Sequence, residues 1–320
     1  MSKNQFHTEA ERYLAEIRGN YKESTYKEKC RKLRFFSNII YVLSEEKKIS
    51  TCNPRRLTKE DINAYVAFRR SKGIKDSTIG KDLSLIGDLL LYVGNDALDL
   101  YKVTYGNRKP RSYSGKLDPL PDETIEAIYA LARSTEDWKI LEGCVTVILG
   151  CAAGLRPQES RQLYLADVHH LDPKPYIFVK HVKGEGKWGR ERSVPLNDGV
   201  SDIFEKFIAM REEKLEYFRI ESTAFLPSLR AGNEFVSQQS MSRFKRQVEK
   251  VLDVEFVLKD GRRSYGQRML DRGVPIEYVS YCMGHDSVET TQKYYANYRD
   301  KDVLSQVHGI LNGSISGLGH

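Results

Sequence analysis

Apolar positions over the first hundred residues recur at helical spacing. Phe6, Ala10, Tyr13, Leu14 and Ile17 form one stripe, and Leu33, Phe36, Ile40 and Leu43 a second. Ile62, Tyr65 and Val66 form a third, and Ile79, Leu83, Ile86, Leu90 and Val93 a fourth. Helix-start signals accompany them: Ser24 and Thr25 with Glu28 placed to close a capping box, Thr58 with Asp61 three residues on, and Asp76 with Ser77. Four amphipathic helices are therefore expected, forming a small helical domain over residues 1–104. The stretch YGNRKPRSYSGKLDPLP, residues 105–121, loses periodicity and is rich in Gly, Pro, Ser and basic residues, which predicts a basic linker. Helical patterning resumes from Asp122 to Ala153. Within it the run ILEGCVTVILGCAAGL is interrupted by Glu142 and is shorter than the ~18–20 apolar residues that span a bilayer, so a buried helix is expected. YIFVKHV and ERSVPL then alternate with period two around GEGKWG, predicting a β-hairpin, and helices return to the end. The expected fold class is mainly α with a small β-hairpin or sheet (α+β), the second domain covering residues 122–320.

Charge changes this picture by being uneven. The net charge is +7, but residues 1–110 carry 22 Lys+Arg against 14 Asp+Glu, whereas the remainder carries 29 against 30. A basic domain joined to a neutral one fits a polyanion partner, nucleic acid above all. The five cysteines are scattered without CxxC spacing, so neither a zinc knuckle nor a disulfide framework is expected. The start MSKNQFHTEAERYL has no apolar signal core, which predicts a cytoplasmic chain without a membrane partner. His169 and His170 in DVHHLDP lack partner ligands and read as a surface turn; no metal and no nucleotide-binding loop is expected.

Four islands in the second domain carry candidate chemistry. In GLRPQES, Arg156 and Glu159 stand one turn apart if Pro157 starts a helix. KGEGKWGRER, at the hairpin tip, offers Lys183 or Lys187. LKDGRRSYGQRML packs Lys259, Arg262, Arg263 and Arg268 into one turn and helix, a density of cations that calls for an anion. MGHDSVETTQKYY places His285 nine residues before Tyr294. Tyr295 and Tyr298 follow; Tyr295 is turned about 100° from Tyr294 on a helix and is read as packing.

In this order the islands resemble the tyrosine recombinase, or phage integrase, family. Its pattern runs Arg, an acidic residue three later, a hairpin Lys, His-x-x-Arg, Gly-His, and Tyr nine residues after that His. Arg156, Glu159, Arg262, His285 and Tyr294 match it, and Lys187, five before Arg192, is the better match for the hairpin lysine, with Lys183 the alternative. Lys259 departs from it, standing where the family usually has His. The resemblance covers about residues 5–311. It implies a site-specific DNA recombinase that wraps double-stranded DNA bearing inverted repeats and works through a 3′-phosphotyrosyl link at Tyr294 without cofactor. It further implies a homo-tetramer on DNA, linked through a C-terminal helix whose stripe is Val303, Leu304, Val307, Ile310 and Leu311. Arg156 and Arg262 would grip phosphate oxygens with His285 adding a hydrogen bond, Lys187 would protonate the leaving 5′-oxygen, Glu159 would orient its neighbours, and Lys259 would grip phosphate. The alternatives are a type IB topoisomerase-like activity and a catalytically inactive DNA-binding relative.

Overall fold

The computed structural model describes residues 4–106, 110, 119–180, 190–196, 199–230, 232–294 and 308, residues 293 and 294 through their backbone alone. The chain divides into two compact units, residues 1–115 and 116–320.

The first unit contains α1 (Gln5–Glu16), α2 (Glu23–Glu45), α3 (Lys59–Ser71), α4 (Asp76–Tyr92) and α5 (Ala97–Thr104). The four predicted stripes are its core: Phe6, Leu14, Leu33, Phe36, Ile62, Tyr65, Ile79 and Ile86 are all buried. Two expectations are corrected. The second helix begins at Glu23, before Ser24 and Thr25, and Glu28 pairs with Arg31 at 2.9 Å instead of closing a box. There is also a fifth helix, α5, whose buried Ala97, Leu98 and Tyr101 complete the core. The box at Thr58 and Asp61 does form. Asp61 also accepts from Ser50 N at 2.6 Å, so one carboxylate ties the preceding loop to the start of α3.

The second unit is built around α7 (Trp138–Ala153), which α6 (Asp122–Ser134), α9 (Ser201–Phe218), α10 (Gln238–Leu252) and α11 (Leu258–Asp271) surround. Every residue of α7 except Lys139 and Ile140 is buried, which explains the nearly unbroken apolar run. Glu142 is tolerated there because burial pushes its carboxyl up to about 8, against the opposing charge of Arg243, so it is largely uncharged at neutral pH. Glycines set how closely α7's partners approach. A Cβ on Gly143 would lie 2.7 Å from Phe244 O of α10, and one on Gly261 of α11 would lie 2.8 Å from Cys151 Sγ. Among the described residues no helix is long and apolar enough to cross a membrane.

The hairpin strands are β2 (Tyr176–Val179) and β3 (Arg192–Pro195), antiparallel with Val179 opposite Arg192. A two-residue strand, β1 (Val168–His169), adds to β2, giving a three-stranded sheet in the order β1-β2-β3. The surface turn expected at His169 and His170 is thus corrected: His169 belongs to β1 and stacks on Tyr176, ring centroids 4.3 Å apart. The hairpin tip and the stripe Val303 to Leu311 lie outside the described residues, as does most of the expected linker. The unit is completed by α8 (Pro157–Arg161), α12 (Ile276–Met283) and α13 (Val288–Tyr294).

Candidate active site

The site begins where α7 stops. Gly154 ends that helix in the left-handed conformation, φ 60°, and a Cβ there would meet the Tyr265 ring at 2.5 Å. Glycine is required on both counts. Two residues on, Arg156 is the N-cap of α8, Pro157 occupies its first position, and Glu159 its third. The Glu159 carboxylate accepts from Arg156 N at 2.8 Å, so the three-residue spacing read from the sequence is that of a helix cap.

Glu159 is 2 % exposed, and three guanidiniums surround it. Arg156 Nη1 donates to Oε1 at 2.8 Å. Arg192 donates to both oxygens, Nη2 to Oε2 at 2.9 Å and Nη1 to Oε1 at 3.3 Å. Arg262 Nη1 stands 3.8 Å from Oε2. Burial alone would push the carboxyl up, but Arg192, Arg262 and Arg156 outweigh it and hold Glu159 below the usual carboxylate range. It is a carboxylate at any neutral pH.

The same guanidiniums grip the turn that follows α12. Arg156 Nη2 donates to Gly284 O at 2.7 Å, Arg192 Nε to Cys282 O at 2.8 Å, and Arg262 to Met283 O and Gly154 O. Gly284 is left-handed, φ 59°, and a Cβ there would lie 2.8 Å from the Arg192 guanidinium carbon. The Gly of the Gly-His pair is therefore fixed by backbone conformation and by close approach of a cation. His285 follows. Its Nε2 is 3.3 Å from Arg262 Nη2 and its Nδ1 2.8 Å from Thr291 Oγ1 of α13. Burial first, then Arg262, Arg156 and Arg192, pushes the ring down to about 3, with Glu159 opposing. It is neutral under ordinary conditions.

Of the seven residues predicted for the site, Arg156, Glu159, Arg262 and His285 are thus brought into contact from three separate segments. Lys259 is exposed at the second position of α11, one turn before Arg262. Tyr294 is the last residue of α13, the helix that Thr291 ties to His285. Lys187 and its alternative Lys183 lie outside the described residues, as do Tyr295 and Tyr298. The other cations of α11 find their own anions: Arg263 pairs with Asp260, and Arg268 lies 3.5 Å from Asp122 and 3.7 Å from Glu126. Arg192 escaped the sequence reading except as a landmark. Its signal was its parity with Val194 in the strand alternation, which places an arginine on the inward face. Among the described residues no group of His, Cys, Asp and Glu has the makings of a metal site.

Residues 120–301 match the phage integrase family. The chain is similar to the tyrosine recombinase XerD of Listeria monocytogenes, 22 % identical over 289 residues, which is 89 % of this chain and 92 % of the relative. It is also similar to the tyrosine recombinase XerA of Pyrococcus horikoshii, 25 % identical over 175 residues, 55 % of each. In fold it is similar to the Tn1549 transposon integrase solved with circular intermediate DNA, at a TM-score of 0.68 and 14 % identity, covering 96 % of this chain and 99 % of that one. A second similar fold is the lambda integrase dimer bound to a COC′ core site, at a TM-score of 0.63 and 15 % identity, covering 92 % and 97 %. With more than half of its length matched to one family, and a mainly helical fold shared with integrases, the chain belongs to the phage integrase family and is a tyrosine recombinase.

Proposed function

We propose that the protein is a site-specific DNA recombinase that cleaves and rejoins strands through a 3′-phosphotyrosyl link at Tyr294. The observation that carries this is the convergence of Arg156, Arg262 and His285 around the buried carboxylate of Glu159. A phosphodiester attacked by a phenolate passes through a crowded, doubly charged state, and guanidiniums fixed in advance stabilise such charge without rearranging. Glu159 keeps these cations in place, and Arg156, whose side chain retains 21 % of its exposure, is open to an entering phosphate. Because the protein's own cations supply the stabilising charge, the reading needs neither metal nor nucleotide.

A free phenol ionises near pH 10, so a cation-rich site also favours the attacking phenolate. As the bond from Tyr294 to phosphorus forms, the bond to the 5′-oxygen breaks, and that oxygen takes a proton from Lys187, which the family resemblance puts in this role. Lys259, a turn from Arg262, adds a further grip on phosphate. The covalent link conserves the energy of the broken bond, so the strand can be rejoined to a partner duplex. Relatives solved on DNA, among them the lambda integrase dimer on its core site, support double-stranded DNA as the partner. Inverted-repeat sites and a homo-tetramer joined through the C-terminal helix complete the reading.

The test is covalent adduct formation on a nicked suicide substrate. Tyr294→Phe is expected to bind DNA nearly as the wild type and form no adduct. An adduct that persists in this variant and disappears in Tyr295→Phe would move the nucleophile by one residue. Recombinant products, as opposed to relaxed starting DNA, separate this activity from a topoisomerase.

A further inference from the structure

The hydroxyl of Thr291 is an unassigned part of the site. Thr291 is fully buried in α13, three positions before Tyr294, and its Oγ1 lies 2.8 Å from His285 Nδ1. On the other side of the ring, Nε2 faces Arg262 Nη2 at 3.3 Å. A guanidinium can only donate, so Nε2 must be the accepting nitrogen; the single proton of the neutral ring then sits on Nδ1 and is donated to Thr291. In this arrangement His285 presents a lone pair toward Arg262. To add a hydrogen bond to a phosphate oxygen it needs the opposite tautomer, with the proton on Nε2.

We propose that Thr291 is a positioning residue for strand cleavage, its buried hydroxyl holding the His285 ring in place and partnering either tautomer. This deepens the recombinase reading and rests on it. A hydroxyl accepts from Nδ1–H and, after rotating, donates to a bare Nδ1, so one side chain satisfies both states. When a phosphate oxygen enters beside Nε2 and accepts from Arg262 in its place, the ring proton moves from Nδ1 to Nε2 and the ring's charge does not change. His285 then donates to the phosphate oxygen while Thr291 donates to Nδ1. The bond also joins α13, which ends at Tyr294, to the arginine cluster, so docking of the nucleophile's helix and orientation of His285 are a single event.

The charged groups packed around the ring are Arg262 of α11, Arg156 and Glu159 at the start of α8, and Arg192 of β3. Of these, Arg262 stands at Nε2, on the side of the ring away from Nδ1.

The test uses full-length protein labelled with ¹⁵N at its 7 histidines. Long-range ¹H–¹⁵N spectra distinguish the tautomers, and loss of a signal in His285→Gln assigns it. The wild type and Thr291→Ser are expected to show the Nδ1-protonated ring. Thr291→Val, equal in shape but without the hydroxyl, is expected to keep that tautomer, which Arg262 sets, to shift the Nδ1–H resonance as its hydrogen bond is lost, and to slow single-turnover cleavage on the order of threefold to tenfold, as loss of one neutral hydrogen bond implies. DNA affinity should not move, and Thr291→Ser should restore most of the rate. An unmoved Nδ1–H signal in Thr291→Val would overturn the proposal, as would a moved signal with an unchanged rate. A serine variant as slow as valine would assign the effect to the lost methyl and overturn it too. The spectra of the uncomplexed protein are read without any cleavage, so a wild type that forms no covalent adduct would refute the recombinase reading while leaving the Nδ1 result to stand or fall by itself.

Discussion

Replacing Arg192 by methionine tests whether the cluster is held together by charge or by packing. The stem of the side chain is kept, and two hydrogen bonds to the Glu159 carboxylate and one to Cys282 O are lost. Removing one partner of a buried ion pair costs about 3–5 kcal/mol, because the other charge is left without compensation. Glu159 keeps Arg156 at 2.8 Å, however, and Arg262 at 3.8 Å, so the loss belongs at the lower end, about 3 kcal/mol. For a unit of this size that is a fall in Tm of roughly 6–12 °C. Both tryptophans, Trp138 and Trp188, belong to the second unit, so urea denaturation followed by tryptophan fluorescence reads that unit selectively. The pH dependence has a definite sign. Glu159 has a folded pKa below its unfolded one, so it contributes stability above the unfolded value and loses it as pH falls through the folded value. In Arg192→Met, burial is opposed by fewer cations and the folded pKa rises. The gap between wild type and variant should therefore be widest at neutral pH and narrow as pH falls through the wild type's lowered folded value. A loss under about 1 kcal/mol at pH 7, or a gap that widens on acidification, would refute the charge-based account.

Gly284→Ala should lose about 1–2 kcal/mol to the left-handed backbone, plus the displacement of Arg192, and so slow cleavage as well as lower Tm; wild-type behaviour in both would show that the turn is not held as described. Lys259→Arg should retain cleavage while Lys259→Ala loses about 10²-fold, with no limb added to or removed from the pH–rate profile; an Arg variant as inactive as Ala would make this lysine the acid–base residue. Deleting residues 1–110, with their 22 basic and 14 acidic side chains, should flatten the dependence of DNA affinity on salt, and an unchanged slope would sink the idea that this segment neutralises phosphates.

Elements whose pattern is repeated several times over were legible in the sequence. Four stripes of the first unit and the alternation in YIFV and RSVP each placed an element because burial is enforced at several positions at once. The fifth helix was not, since ALDLYKVT spans barely two turns and mixes buried Leu98 and Tyr101 with exposed Leu100 and Val103. The start of α2 was misjudged because Ser24 and Thr25 are good caps in isolation, yet the helix gains another turn's worth of backbone bonds by beginning before them. In the site, Arg156 and Glu159 could be paired because their spacing encodes a helix cap, a local rule. What joins them to His285 is not local. Gly143 and Gly261 set the approach of α10 and α11 to α7, and no pattern along the chain says which helix each glycine will face.

The charge balance of the cluster links its folding to its proposed chemistry. Arg156, Arg192 and Arg262 carry three positive charges, Glu159 offsets one, and His285 is kept neutral by burial and by those same arginines. Two positive charges are left over in a largely buried site, an arrangement that costs stability through mutual repulsion. The carboxylate and the carbonyls of Gly154, Cys282, Met283 and Gly284 tie the arginines down from one side. A phosphodiester brings one negative charge and its pentavalent state brings two, so the excess is matched when the strand is being cut and not before. A protonated His285 would spoil this balance by adding a third charge, which gives a physical reason for a neutral ring that hydrogen-bonds without ionising. Under the proposed reading, Lys259, exposed one turn before Arg262 where the family usually has histidine, adds to the pull on an incoming phosphate without having to exchange a proton.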